Sequence, residues 1–65
     1  MTAQQRSGIL LRARLLDGIR ALGQVVPRAD VEAMSGVSRS ATSKHLIRLE
    51  ELRLVRVEFG RVVVL

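Results

Sequence analysis

The stretch from Ser35 to Val55, SGVSRSATSKHLIRLEELRLV, decides how this chain folds. It reads as the end of a short helix, a tight turn at Gly36-Val37, and then a longer helix. Ser38 is placed to cap the longer helix, its hydroxyl accepting from backbone N–H groups two or three residues on. Thr42, His45, Leu46, Leu49 and Leu52 recur at three- and four-residue spacing and make one inward stripe. The opposite face carries Arg39, Ser40, Ser43, Lys44, Ile47 and Arg48, with no acidic residue before Glu50. A helix buried on one side and offering short polar and basic side chains from its first turns is what a DNA major groove admits.

Composition narrows the alternatives. Sixty-five residues make one domain, 1–65, whose core is near the lower limit for folding unaided. A hydrophobic fraction of 48% argues against wholesale disorder. Those residues are nearly all aliphatic, and Phe59 is the only aromatic, which counts against binding modes built on rows of stacked bases. The net charge of +5 suits a polyanion, either nucleic acid or an anionic membrane surface, and solubility alone is the plain alternative. The absence of cysteine excludes disulfides, thiolate metal sites and cysteine nucleophiles. No run approaches the about 18 apolar residues that span a bilayer. The short run Ile9 to Leu11 is interrupted by Arg12 and Arg14 and makes a poor signal peptide, so an intracellular, cytoplasmic protein is expected.

Upstream of the central stretch, Thr2 with Gln5 has capping-box spacing, with Ser7 as the rival cap. The first helix then runs to about Leu22 and ends at Gly23. Leu11, Leu15, Ile19 and Leu22 form its core stripe, with Gly18 on the same side permitting close approach of a neighbour. Ile9, Ala13 and Leu16 lie on a second face and Leu10 on another. These four read as a dimer interface, against the alternative of scattered surface aliphatics. Gln24-Val25-Val26 allows a single extended strand, and Pro27 leads into a second helix, about Arg28 to Ser35, with Val31 and Met34 inward. Gly36 can take the positive φ needed for a sharp turn.

After Leu52 the period becomes strand-like. Leu54 to Glu58 and Arg61 to Leu65 read as a hairpin about Phe59-Gly60. A two-residue loop would set Glu58 opposite Arg61, Val57 opposite Val62 and Val55 opposite Val64; a three-residue loop with a bulge at Gly60 competes closely. The fold class is therefore mostly α with a small β-hairpin, in the order helix, strand, helix, helix, hairpin.

That order, with Ser-Gly-Val-Ser-Arg-Ser-Ala-Thr-Ser-Lys-His-Leu at 35–46, Leu49-Glu50-Glu51 and Leu54-Val55, resembles the winged helix-turn-helix domain of ArsR- and MarR-type bacterial and phage regulators. The resemblance covers about Leu11 to Leu65. It implies three helices, a short strand and a C-terminal two-stranded wing. It also implies a homodimeric, repressor-like transcription regulator acting on double-stranded DNA of the nucleoid. Helix 38–52 would enter the major groove, and wing 54–65 would lie on the adjacent minor groove or backbone. Three positions depart from the family pattern. Thr42 replaces a valine or isoleucine and needs a hydrogen-bond partner, a helix carbonyl one turn back. Glu32 stands where alanine is common, and Arg53 stands in place of the exit glycine. The cysteine metal sites of ArsR sensors have no counterpart, so neither a metal nor a small-molecule effector is expected.

On this reading the DNA-binding residues are Arg28, Ser38, Arg39, Ser40, Ser43, Lys44, Ile47, Arg48, Arg56 and Arg61. Lys44 and Arg48 can reach guanine edges or phosphates, and Arg39 and Arg28 serve as phosphate contacts. Ile47 either touches a thymine methyl or packs against the wing or a partner. Arg61, with Arg56, would grip the minor groove or its phosphates. Arg12, Arg14 and Arg20 would face solvent or a dimer partner. His45, the sole histidine, reads as a hydrogen-bonded core residue, since a metal site needs three or four ligands. Asp17, Asp30 and Glu32 form no paired carboxylate site, and neither a nucleophile–base pair nor a phosphate loop is visible. No enzyme, cofactor or membrane is expected. The competing functions are a plasmid or phage centromere- or origin-binding protein, and a protein-interaction module that uses the same fold without DNA.

Overall fold

The computed structural model describes residues 2–65, apart from the side chains of residues 3–5. In chain order the elements are α1 (Ala3–Leu22), β1 (Val25–Pro27), α2 (Arg28–Ser35), α3 (Arg39–Glu51), β2 (Val55–Glu58) and β3 (Arg61–Val64). Three helices thus accompany one antiparallel sheet of strand order β1-β3-β2.

Each end of α3 is closed by a specific device. At its start Ser38 Oγ accepts from the Ala41 N–H at 3.1 Å. At its end the Arg53 N–H donates to Glu50 O and the Leu54 N–H to Leu49 O, both at 3.0 Å. This paired arrangement satisfies two terminal carbonyls but needs a left-handed residue after the cap. Arg53 supplies it with φ 61°. A glycine would adopt that conformation freely, whereas an L side chain there costs about 1 kcal/mol. The helix consequently stops at Glu51, and Leu52, expected on the inward stripe, is exposed where the chain swings away.

The turn between α2 and α3 uses Gly36 in the left-handed region, φ 69°. Thr42 locks it. Its hydroxyl donates to Ser38 O at 3.0 Å and lies 2.9 Å from the Ser35 hydroxyl, so the buried oxygen is satisfied by the carbonyl one turn back. At the start of α2, Pro27 offers no side-chain cap; instead the Arg28 N–H donates to Gly60 O at 2.9 Å. The hairpin turn therefore caps α2 with its own backbone.

β3 is the central strand. It pairs with β1 through Val25↔Val63, Val26↔Val62 and Pro27↔Arg61, and with β2 through Val55↔Val64, Arg56↔Val63, Val57↔Val62 and Glu58↔Arg61. The Glu58↔Arg61 pairing leaves a two-residue loop at Phe59-Gly60, with Gly60 at φ 68°, in place of the bulged alternative. On the outer edge of β2 the Val57 N–H donates to Glu50 Oε2 at 2.7 Å.

The core collects Leu15, Leu16 and Ile19 from α1, Val26 from β1, Val31 from α2, Leu46 and Leu49 from α3, and Val55 and Val62 from the hairpin. Fully burying such side chains contributes roughly 1.5–3 kcal/mol each. Leu16 corrects its assignment to a dimer interface: at 8% exposure it is a core residue. Leu11 (41%) and Leu22 (55%) are corrected in the opposite sense, from core to surface. Two physical facts explain both changes. α1 packs against α2 and also α3, so its covered arc is wider than one stripe. As a 20-residue helix it is also about 30 Å long, and it matches only the longest of the chain's 33 × 22 × 19 Å extents. Neighbours cover the stretch around Leu15, Leu16 and Ile19 and leave Ile9 to Leu11 and Arg20 to Leu22 exposed.

On the α2 side, Gly18 does permit the expected close approach. A Cβ there would lie 2.5 Å from Met34 Sδ, although Met34 itself is more exposed than its inward assignment implied. α1 begins at Ala3, which places Ser7 inside the helix and not at its cap. The Thr2–Gln5 capping box depends on a side chain outside the described residues.

Candidate nucleic-acid interface

α3 turns Thr42, Leu46 and Leu49 into the core, and the helical period then forces the intervening residues outward. Arg39, Ser40, Lys44, Ile47 and Arg48 are all exposed, and Ser43 is half-buried beside them. Ile47 is 57% exposed, so it does not serve as a packing residue against the hairpin. Ser38 is exposed, and its hydroxyl oxygen is engaged by the Ala41 N–H while its proton remains available.

The cations of this region differ in how they are held. Glu32 Oε1 receives both Arg28 Nε at 3.2 Å and Arg39 Nε at 3.3 Å. Arg28 also donates from Nη2 to Ser43 Oγ, which ties the start of α2 to the outer face of α3. Arg48 pairs with Glu51 at 3.0 Å. On the hairpin Glu58 accepts from Arg56 at 2.8 Å and Arg61 at 2.9 Å. The hydrogen bond from Arg61, reinforced by the charges of both arginines, holds the Glu58 carboxyl below its ordinary value. Lys44 stands apart: it is exposed and has no ion-pair or hydrogen-bond partner among the described residues.

Exposed pairs of this kind contribute little to stability, with typical values of about 0–1 kcal/mol. Their effect here is geometric. They orient guanidinium groups whose carboxylate partners a phosphate oxygen could replace as the acceptor. The Arg48–Glu51 and Arg28–Glu32 pairs follow from i,i+3 and i,i+4 spacing and could have been read from the sequence. The Glu58–Arg61 pair was so read, from the register of the hairpin. The Glu32–Arg39 contact could not be, because it crosses the turn at Gly36 and depends on the angle between two helices.

His45 corrects another expectation. It is half-buried, and no hydrogen bond ties it to the described residues. Burial, aided by the charge of Arg12 on α1, lowers its pKa from the ordinary histidine value. Arg12 is itself half-buried, with Nε out of water and without a hydrogen-bond partner among the described residues. The α1–α3 seam therefore sets a cation against an imidazole, where solvent or a dimer partner was the expected neighbour for Arg12. Of the residues assigned to a dimer interface, Ile9, Leu10 and Ala13 are exposed together on the overhanging half of α1, and Leu16 is not.

Among the described residues no group of three or more His, Asp or Glu side chains is arranged to hold a metal ion, and no helix is long and apolar enough to cross a membrane. Comparison with protein-family models, with curated proteins and with solved structures found no match to the chain.

Proposed function

We propose that the chain is a winged helix-turn-helix protein that binds double-stranded DNA in a sequence-specific manner, as a homodimeric, repressor-like transcription regulator. The observation that carries this reading is the outer face of α3. It presents Ser40, Lys44 and Ile47 exposed together, with the only unpaired cation of that face at its centre and oriented arginines around it. Short hydroxyls, a mobile ammonium and one aliphatic tip are the groups that meet base edges and thymine methyls in a major groove, each good contact giving about 1–3 kcal/mol of discrimination. Arg28, Arg39 and Arg48 border this face and would take phosphates in exchange for their carboxylates. The hairpin, with Arg56 and Arg61, would lie on the adjacent minor groove or backbone.

Dimerisation in this proposal uses the exposed α1 residues Ile9, Leu10 and Ala13. A single module buries only about 600–1,000 Å² on DNA, and a symmetric pair doubles the contact.

The test is a salt series of binding to random and to enriched genomic duplexes, comparing the natural chain with Lys44→Ala and Ile9→Glu. The proposal expects Lys44→Ala to erase sequence preference and Ile9→Glu to weaken affinity by separating the dimer. Affinity of the natural chain should fall linearly on a logarithmic salt axis, with a slope that counts displaced phosphate contacts. If no duplex is bound above a nonspecific, salt-labile background, the α3 face serves another partner.

A further inference from the structure

Phe59 is fully exposed (105%) at the hairpin turn, and it is the only aromatic residue of the chain. A lone exposed aliphatic side chain needs no explanation. The setting of this ring is more specific, in three respects.

The tip that holds it is fixed. Gly60 closes the two-residue loop at φ 68°, and its carbonyl accepts from the Arg28 N–H at 2.9 Å. The tip is also close to α3: the Arg28 side chain continues from that bond to Ser43 Oγ, so one arginine spans the distance between them. The flanks are cationic. Arg56 and Arg61 are exposed on either side of Glu58, and an open hollow lined by Val57, Glu58 and Arg61 adjoins the ring.

We propose that Phe59 is a wedge that enters between adjacent base pairs from the minor groove, with Arg56 and Arg61 holding the phosphates of the opened step. This rests on the duplex-binding reading above and adds to it a way of selecting sequence. Apolar side chains inserted from the minor groove partly unstack a base step and kink the duplex by about 20–90°. Pyrimidine–purine steps unstack most readily, so the wedge selects a flexible step at a position where no base edge is read. Rows of stacked bases need several rings; a wedge needs one ring, an anchored backbone and cations beside it. A protein partner suits the tip poorly, because one ring between charged neighbours offers far less than the roughly 1,000 Å² of a specific protein interface.

The experiment uses duplexes enriched from a random pool by the natural chain and labelled at both ends, so that energy transfer reports the bend. Phe59→Ala and Phe59→Leu are compared with Lys44→Ala. Both Phe59 variants should keep the thermal midpoint of the natural chain, because the ring packs against nothing. Phe59→Ala should lose the bend and about tenfold or more in affinity, the scale of one lost base–aromatic contact. Phe59→Leu, still a wedge, should retain most of both. A Phe59→Ala protein that binds and bends like the natural chain while Lys44→Ala fails overturns the wedge and leaves duplex binding standing. Absence of duplex binding by the natural chain overturns both. A loss of affinity in Phe59→Ala that follows a change in oligomeric state by light scattering assigns the ring to self-association, and also overturns the wedge.

Discussion

α1 and α3 are both two-faced helices, yet they differ in how much of their apolar surface the fold covers. α3 runs thirteen residues between the Ser38 cap and the paired bonds at Arg53 and Leu54, and it turns Thr42, Leu46 and Leu49 into the core. α1 runs twenty residues, and it buries Leu15, Leu16 and Ile19 while leaving Ile9, Leu10 and Leu11 in water. The contrast separates two sources of amphipathic pattern. In α3 the buried stripe is what the fold covers, apart from Leu52 just beyond its last turn; in α1 part of the apolar surface stays in water.

The sharpest way to break this comparison is to substitute two α1 residues that the sequence placed on the same face. Leu16→Ala should destabilise the chain by about 2–4 kcal/mol, as expected for a truncated core leucine. Ile9→Glu should shift stability by no more than about 0.5 kcal/mol, while changing the sedimentation or light-scattering mass if α1 forms the dimer contact. Urea denaturation of both variants decides the matter, and equal losses would mean that α1 has no uncovered face.

A smaller pair of effects tests whether α3 owes its definition to its ends. Ser38→Ala removes the cap and should cost about 1 kcal/mol. Arg53→Gly relieves the left-handed backbone, and once the greater freedom of glycine in the unfolded chain is subtracted the net gain should be about 0.5 kcal/mol or less. Opposite signs in the same denaturation series are the expected result; a destabilised Arg53→Gly would show that the arginine makes a contact worth more than its strain.

The smallest effect lies where the two helices meet. His45 has a lowered pKa in the folded chain because of burial and the charge of Arg12. Between that lowered value and the ordinary histidine value the unfolded chain binds more protons, so stability rises with pH across this window. It is fully present above the ordinary value and is lost as pH falls through it towards the folded value. The urea midpoint of the natural chain should therefore drop over this range more than that of His45→Gln. Parallel pH profiles would remove His45 as the cause.

What the sequence made legible divides between local rules and contacts distant along the chain. Element order, the Ser38 cap, the positive φ of Gly36, the partner of Thr42 and the hairpin pairing of Glu58 with Arg61 all follow from local rules, since each involves residues near in sequence or a fixed period. Leu16, Leu11 and Leu22 were misplaced because periodicity locates a stripe but not how much of it neighbouring elements cover, and Leu52 because the helix ends one residue earlier, at the left-handed Arg53. The outer face of α3 was legible as a set of side chains, whereas its electrostatic organisation was only partly so. Glu32 reaches Arg39 across a turn, and the charge of Arg12 on α1 acts on His45 of α3; no spacing rule encodes either interaction.

The bond from the Val57 N–H to Glu50 Oε2 has a bearing on how the chain behaves in quantity. The segment Arg61 to Leu65, RVVVL, is the kind of β-prone run that templates cross-β growth when left unpaired. Here its strand lies between two others, and the flanks of the sheet are poor templates themselves: β1 is three residues long and ends in Pro27, and β2 has an outward N–H occupied by a carboxylate. Fibre formation then has to begin from the unfolded chain, so any substitution that lowers stability shortens shelf life in proportion to the unfolded population it creates.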